Sequence, residues 1–315
     1  MSRESAFLFN NLLFLGITFA ILFGTLYPVL VEAATGAKAS VGAPWFNRVN
    51  APIFVALLFL TGVGPALPWG GASWTTVRER FAIPILSAVG IVVAAWTLAM
   101  RDPAPLGILG LATFVLVVMG DEVVRGTRSR ARSRGEAAPL AVLRLATRNR
   151  RRYGGYLAHV GICVMAVAIA VSATLATDRT ATLREGESLS IGAYTLTYDR
   201  LVTEPLASDA RVIETRAELT LAGPQSGPIA TALRDYPNSS TAIATPVVRT
   251  ALGEDLYVTL LAYNATTGTA TLRVFVNPLV MWIWTGGAIV ALGALFAIWP
   301  DRRRTAVEVA VAAGA

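Results

Sequence analysis

A chain of 315 residues has room for more than one domain. Its balance of 54% hydrophobic against 15% charged residues excludes an ordinary soluble globule and points to several bilayer spans. The net charge of +7 is not a nucleic-acid signal, because much of it sits in one arginine block that the positive-inside rule explains.

Six apolar stretches are long enough to cross a hydrocarbon core of about 30 Å: residues 6–30, 50–67, 81–100, 106–124, 153–176 and 279–299. The first follows Met-Ser-Arg-Glu-Ser with no small-residue cleavage pattern, so it reads as a transmembrane helix and not as a signal peptide. Its amides Asn10 and Asn11 suit hydrogen bonds to neighbouring helices, or a contact to a polar head group or quinone. The segment 31–49 is expected as an outward loop whose aromatic part, Ser40 to Asn50, either packs as a lid over the bundle or touches a ligand at the outer face. Residues 70–80, preceded by Trp69 and carrying Trp74, Arg78 and Arg80, suit an interfacial anchor on the other side.

Between Arg125 and Arg152 there are ten arginines against one acid, Glu136. This segment is expected as a basic cytoplasmic loop too polar to pack, and Asp301-Arg-Arg-Arg304 falls on the same side. Both termini are then cytoplasmic and the segment between spans five and six faces outward. There, over residues 177–277, short strand-like alternation at 194–198, 215–221, 256–261 and 269–276 is punctuated by turn signals such as Gly223-Pro224 and Pro237-Asn238. A small β sandwich or barrel is expected. Asn277 suits the N-cap and Pro278 the first position of the last helix, so the domains divide as 1–176, 177–277 and 278–315. The fold class is a polytopic α-helical membrane protein with an outward β domain inserted before its last helix. Phosphate loops, dinucleotide fingerprints and nucleophile elbows are absent.

The fifth span holds the chain's only histidine, His159, two turns beyond Arg152. Polar side chains inside a span are expensive and mark functional sites. Tyr156 and Gly155 precede it, and Cys163, the only cysteine, follows one turn later on the same face. No disulfide or thiolate metal site can come from this chain alone. Three readings of His159 stand open: a hydrogen bond to a neighbouring helix, a proton relay, for which the spans offer no deep acids, or an axial ligand to haem iron.

Seven motifs in order carry a resemblance: Ser2-Arg-Glu-Ser with Asn10-Asn11, Gly24-Thr-Leu-Tyr-Pro28, Ser40-Val-Gly-Ala-Pro-Trp-Phe-Asn47, Gly62-Val-Gly-Pro65, Arg152-Tyr-Gly-Gly-Tyr-Leu-Ala-His159, Gly253-Glu-Asp-Leu-Tyr257 and Asn277-Pro-Leu-Val-Met-Trp-Ile-Trp284. Together they resemble the C-terminal half of CcmF, the membrane subunit of the cytochrome c haem lyase. The resemblance implies an inner-membrane protein that takes haem from a CcmE-like chaperone. With CcmH/CcmI-like subunits it would attach the haem to apocytochrome c at the outer face. It implies a b haem, reduced by quinol, with His159 matching the second of two transmembrane histidine ligands. Gly155, Tyr156 and Cys163 would line the haem slot. The family's WWD segment, its two outward histidines and its first transmembrane histidine are missing from this sequence. The expectation is therefore a separate N-terminal CcmF-like subunit that carries them, with this chain inactive alone; a fragment of a longer protein is the alternative. A haem transporter and a scaffold without a cofactor are the competing functions.

Overall fold

The computed structural model describes residues 2–68, 70, 73–98, 100–239 and 241–299; Trp69 and the Asp301–Arg304 cluster lie outside the described residues. Helices α1 (Arg3–Thr35), α2 (Ala43–Ala66), α3 (Trp74–Thr97), α4 (Pro103–Arg134), α5 (Ala138–Arg148) and α6 (Arg150–Leu175) come first. Nine strands follow, and α7 (Val280–Ile298) closes the described fold. Six of the helices, all but α5, are long and apolar enough to cross a membrane.

The first five spans outgrow the apolar stretches that predict them, because a helix continues until a cap stops it, whereas α7 stays within its predicted stretch. Ser2 accepts from the Ser5 amide to start α1, and Ser73 accepts from the Thr76 amide to start α3. Gly36 ends α1 and Gly135 ends α4, both in the left-handed region. The expected loop 31–49 is thus confined to residues 36–42, and Ala43 to Asn50 forms the first turns of α2 instead of a lid. The expected loop 70–80 likewise gives way to α3 from Trp74 onward. Among the described residues, Asn10 and Asn11 make no side-chain hydrogen bond.

The arginine segment is helical and not a loop. The α4 helix carries on through Arg134, and α5 places Ala141 in a buried position while Leu143 faces out. Glu136 at the corner bonds Arg130 at 2.8 Å and Arg144 at 2.5 Å. The Arg130 guanidinium, with Arg144 behind it, holds this carboxyl below the usual carboxylate range. One acid thus organises a corner whose charge, by composition alone, argues against packing.

Contacts divide the chain into two compact units, residues 1–167 with 285–315 and residues 168–284. In the first, α2, α3, α4 and α6 share an apolar core of Leu58, Val63, Phe81, Phe114, Val115, Met119 and Cys163. Gly62 makes room for the Phe114 ring, since a Cβ there would lie 2.9 Å from it. The α6 and α7 helices meet through small residues: Gly154 and Gly161 on one face Gly293 and Gly286 on the other.

In the second unit, β1 (Thr177–Leu183), β9 (Thr269–Pro278), β8 (Glu254–Asn264) and β7 (Val247–Thr250) form one antiparallel sheet in that order. The other runs β2 (Ser188–Ile191), β3 (Tyr194–Leu206), β4 (Asp209–Ala222), β5 (Gly227–Asp235) and β6 (Ile243–Thr245). Alternate residues of both enter one core, including Leu196, Tyr198, Leu219, Leu256, Val258, Leu272 and Val274. The sandwich expectation holds, with strands longer than the alternation suggests. Across the sheets, Thr231 Oγ1 donates to the Thr245 carbonyl and accepts from the Leu260 amide, so a buried hydroxyl is satisfied on both sides.

The start of the last helix is a correction. Asn277 and Pro278 stay in β9, paired with Asp255 and Glu254 of β8, and Leu279 makes the turn with φ 59°. The Leu279 amide donates to the Gly253 carbonyl and Trp282 Nε1 to the Leu252 carbonyl. Ladder pairing that persists to Pro278 outweighs the local capping preference.

Candidate functional site

The site begins with the periodicity of α6. Arg152, Tyr156, His159 and Cys163 are spaced by four, three and four residues, so they lie in one stripe along the helix. Gly154, Ala158, Gly161 and Met165 occupy the opposite side, where they meet α7. The histidine stripe therefore faces away from α7. Cys163 is fully buried in the core shared with α2, α3 and α4, and Tyr156 packs against the same cluster.

His159 is half-buried between them. Its Nδ1 is buried and has no hydrogen-bond partner among the described residues. Of the three open readings, the hydrogen bond to a neighbouring helix finds no partner for Nδ1 among the described residues. On one flank the helix is open: a Cβ on Gly155 would meet nothing within 4 Å, and Ile162 is 40% exposed. The structure brings Tyr156, His159 and Cys163 onto one face, with Gly155 on the open flank beside them. Tyr156 and Cys163 fix how α6 sits on the core, and only Gly155 borders free space.

One acid at the end of a span is buried against its neighbours. Glu122 of α4 has a side chain only 14% exposed. Its Oε1 accepts from Arg80 Nη1 of α3 at 2.8 Å and its Oε2 from Arg152 Nη2 of α6 at 2.5 Å. Arg152 Nε in turn donates to Tyr156 Oη at 2.7 Å, one turn before His159. Three helices are tied at one carboxylate. The signal was present in the sequence as an acid pair, Asp121-Glu122, at the end of an apolar run, with Arg80 and Arg152 immediately before two other apolar runs. Each oxygen of Glu122 accepts one guanidinium hydrogen bond.

A haem slot asks for a neutral imidazole at an apolar face with room beside the backbone. His159, with its unbonded Nδ1 and the open flank at Gly155 and Ile162, fits one axial ligand. Among the described residues no group of three or more His, Cys, Asp or Glu could hold a metal ion, so any bound iron depends on its porphyrin and a ligand from elsewhere.

No family model matches the chain. It is 30% identical over 315 residues to the cytochrome c-type biogenesis protein CcmF of Pseudomonas aeruginosa, covering 98% of this chain and 46% of that protein. To CycK of Bradyrhizobium diazoefficiens it is 29% identical, covering 96% and 45%, and to CcmF of Escherichia coli 27%, covering 98% and 45%. Among solved structures, the cytochrome c haem lyase CcmF superposes with a TM-score of 0.76 at 28% identity, over 95% of this chain and 46% of that one. The six candidate spans and the β unit before the last helix match that structure. The chain spans slightly less than half the length of the curated relatives that it matches, and within that span it is a multi-pass homologue of the CcmF and CycK cytochrome c-type biogenesis proteins.

Proposed function

We propose that the chain is the C-terminal half, or a separate C-terminal subunit, of a CcmF-like haem lyase in which His159 is an axial ligand of a b haem. The observation that carries this reading is the unbonded, half-buried imidazole on an otherwise apolar span of a CcmF/CycK homologue. The second ligand comes from the other half of the lyase, because this chain has one histidine. Bound haem supplies a one-electron couple between quinol and the haem destined for apocytochrome c.

The chain's own residues set the terms of that chemistry. Seven residues at 1.5 Å each put His159 about 10 Å along the axis from Arg152. That is the cytoplasmic side of the bilayer if the arginines of 125–152 lie inside. Covalent attachment at the outer face would then be remote from His159, which assigns the histidine to electron relay and not to ligation. The β unit, outward in this topology, is the surface for the haem chaperone, the CcmH/CcmI-like subunits and apocytochrome c. In the lyase purified with its other half, His159→Gly should lose the b haem and added imidazole should restore it. Retention of the full haem complement in His159→Gly would rule the ligand role out.

A further inference from the structure

We infer that Glu122 is a positioning residue for the His159 site. It holds Arg152 on Tyr156 at the turn before the histidine, and it balances a guanidinium charge that the iron would otherwise feel. The inference rests on the reading of His159 as a haem ligand.

The geometry carries it in three steps. Glu122 is the side chain that joins α3, α4 and α6, through Arg80 and Arg152. Arg152 then makes two contacts to Tyr156, a hydrogen bond to the phenol and a stacked approach of 5.5 Å to the ring. Tyr156 packs on the α2–α4 core and shares the stripe of His159. The rotation of α6 that presents His159 is thus locked at one end by a charged clamp and at the other by Cys163 in the apolar core.

Charge counting gives the sign. Two guanidiniums and one carboxylate leave one net positive charge at the clamp, whose Arg152 stands about 10 Å along the helix axis from His159. Replacing Glu122 by Gln raises that to two, and replacing Arg152 by Gln lowers it to zero. A nearby positive charge favours the reduced iron, which carries less positive charge. Arg152 is 54% exposed, so screening reduces the effect to several-fold in the reduced-to-oxidised ratio at fixed ambient potential.

The test is a redox titration of the haem α-band in the lyase purified with both halves, as wild type, Glu122→Gln, Glu122→Asp and Arg152→Gln. The midpoint should rise in Glu122→Gln, fall in Arg152→Gln, and stay near wild type in Glu122→Asp. Opposite shifts separate an electrostatic role from loosened packing, which would move both variants the same way. Arg152→Gln, at the exposed end, keeps the test alive if Glu122→Gln does not fold. A wild-type α-band with unshifted or same-direction midpoints would overturn the role of Glu122 and leave His159 as ligand. Absence of the band from wild type would remove the ligand reading and this inference together.

Discussion

Gly154 of α6 and Gly293 of α7 approach so closely that a Cβ on Gly154 would lie 2.6 Å from the Gly293 carbonyl oxygen. The same holds one level along, where a Cβ on Gly161 would lie 2.5 Å from the Gly286 carbonyl. Backbone against backbone is how helices associate when lipid competes for their apolar side chains. Leu at Gly154 or Gly161 should therefore cost about 1–3 kcal/mol through forced separation of the helices. Ala at Gly155, which faces open space, should change stability by no more than about 0.5 kcal/mol. Thermal unfolding in detergent would read this contrast, and equal loss at Gly155 and Gly161 would contradict the seam.

Tyr198 in the β unit is fully buried, and its hydroxyl has no hydrogen-bond partner among the described residues. Burial pushes its phenol above the ordinary tyrosine value. The folded unit favours the neutral form, so this contribution is complete below the unfolded value of about 10 and is lost as pH rises through the folded one. Tyr198→Phe should leave stability at neutral pH unchanged or raised by up to about 1 kcal/mol, and should soften the alkaline loss. Circular dichroism of the β unit between neutral pH and pH of about 11 checks both.

The corner between α4 and α5 should respond in the opposite direction. Glu136 has its carboxyl lowered by Arg130 and then Arg144. Its contribution is present above the unfolded value of about 4.3 and is lost as pH falls through the folded one. Hydrogen-exchange protection at residues 135–140, taken relative to the intrinsic rate at each pH, should fall on acidification in wild type, and should already be low and nearly independent of pH in Glu136→Gln.

Cys163 should prove a packing residue. With no exposed surface, it should resist maleimide until the protein unfolds. Cys163→Ala should cost about 1 kcal/mol while leaving any bound haem in place. Loss of haem in a stable Cys163→Ala variant would return the thiol to the slot.

Much of this fold was legible because long apolar runs and strand alternation are physical signals at the scale of whole elements. The ends were less so: α1 extends to Thr35 and α4 to Arg134 because helical hydrogen bonding continues past the apolar boundary until Gly36 or Gly135 intervenes. Strand β1 escaped notice because it is nearly all exposed and shows no alternation. The α5 helix was hidden by the arginines around it, because the turn alone brings Glu136 between Arg130 of α4 and Arg144 of α5. His159 stood out as one histidine in an apolar span. Glu122 did not, because its meaning lies in Arg80 and Arg152, which are 42 and 30 residues away in the chain.

Binding of haem iron by His159 separates a lyase half from a scaffold. The most direct measurement is the absorption spectrum of the purified chain, alone and co-expressed with the remaining half of the lyase. A b-type α-band should appear on co-expression and vanish in His159→Ala. Co-purification of both halves without haem, wild type included, would contradict haem binding by His159 and leave the chain as a scaffold.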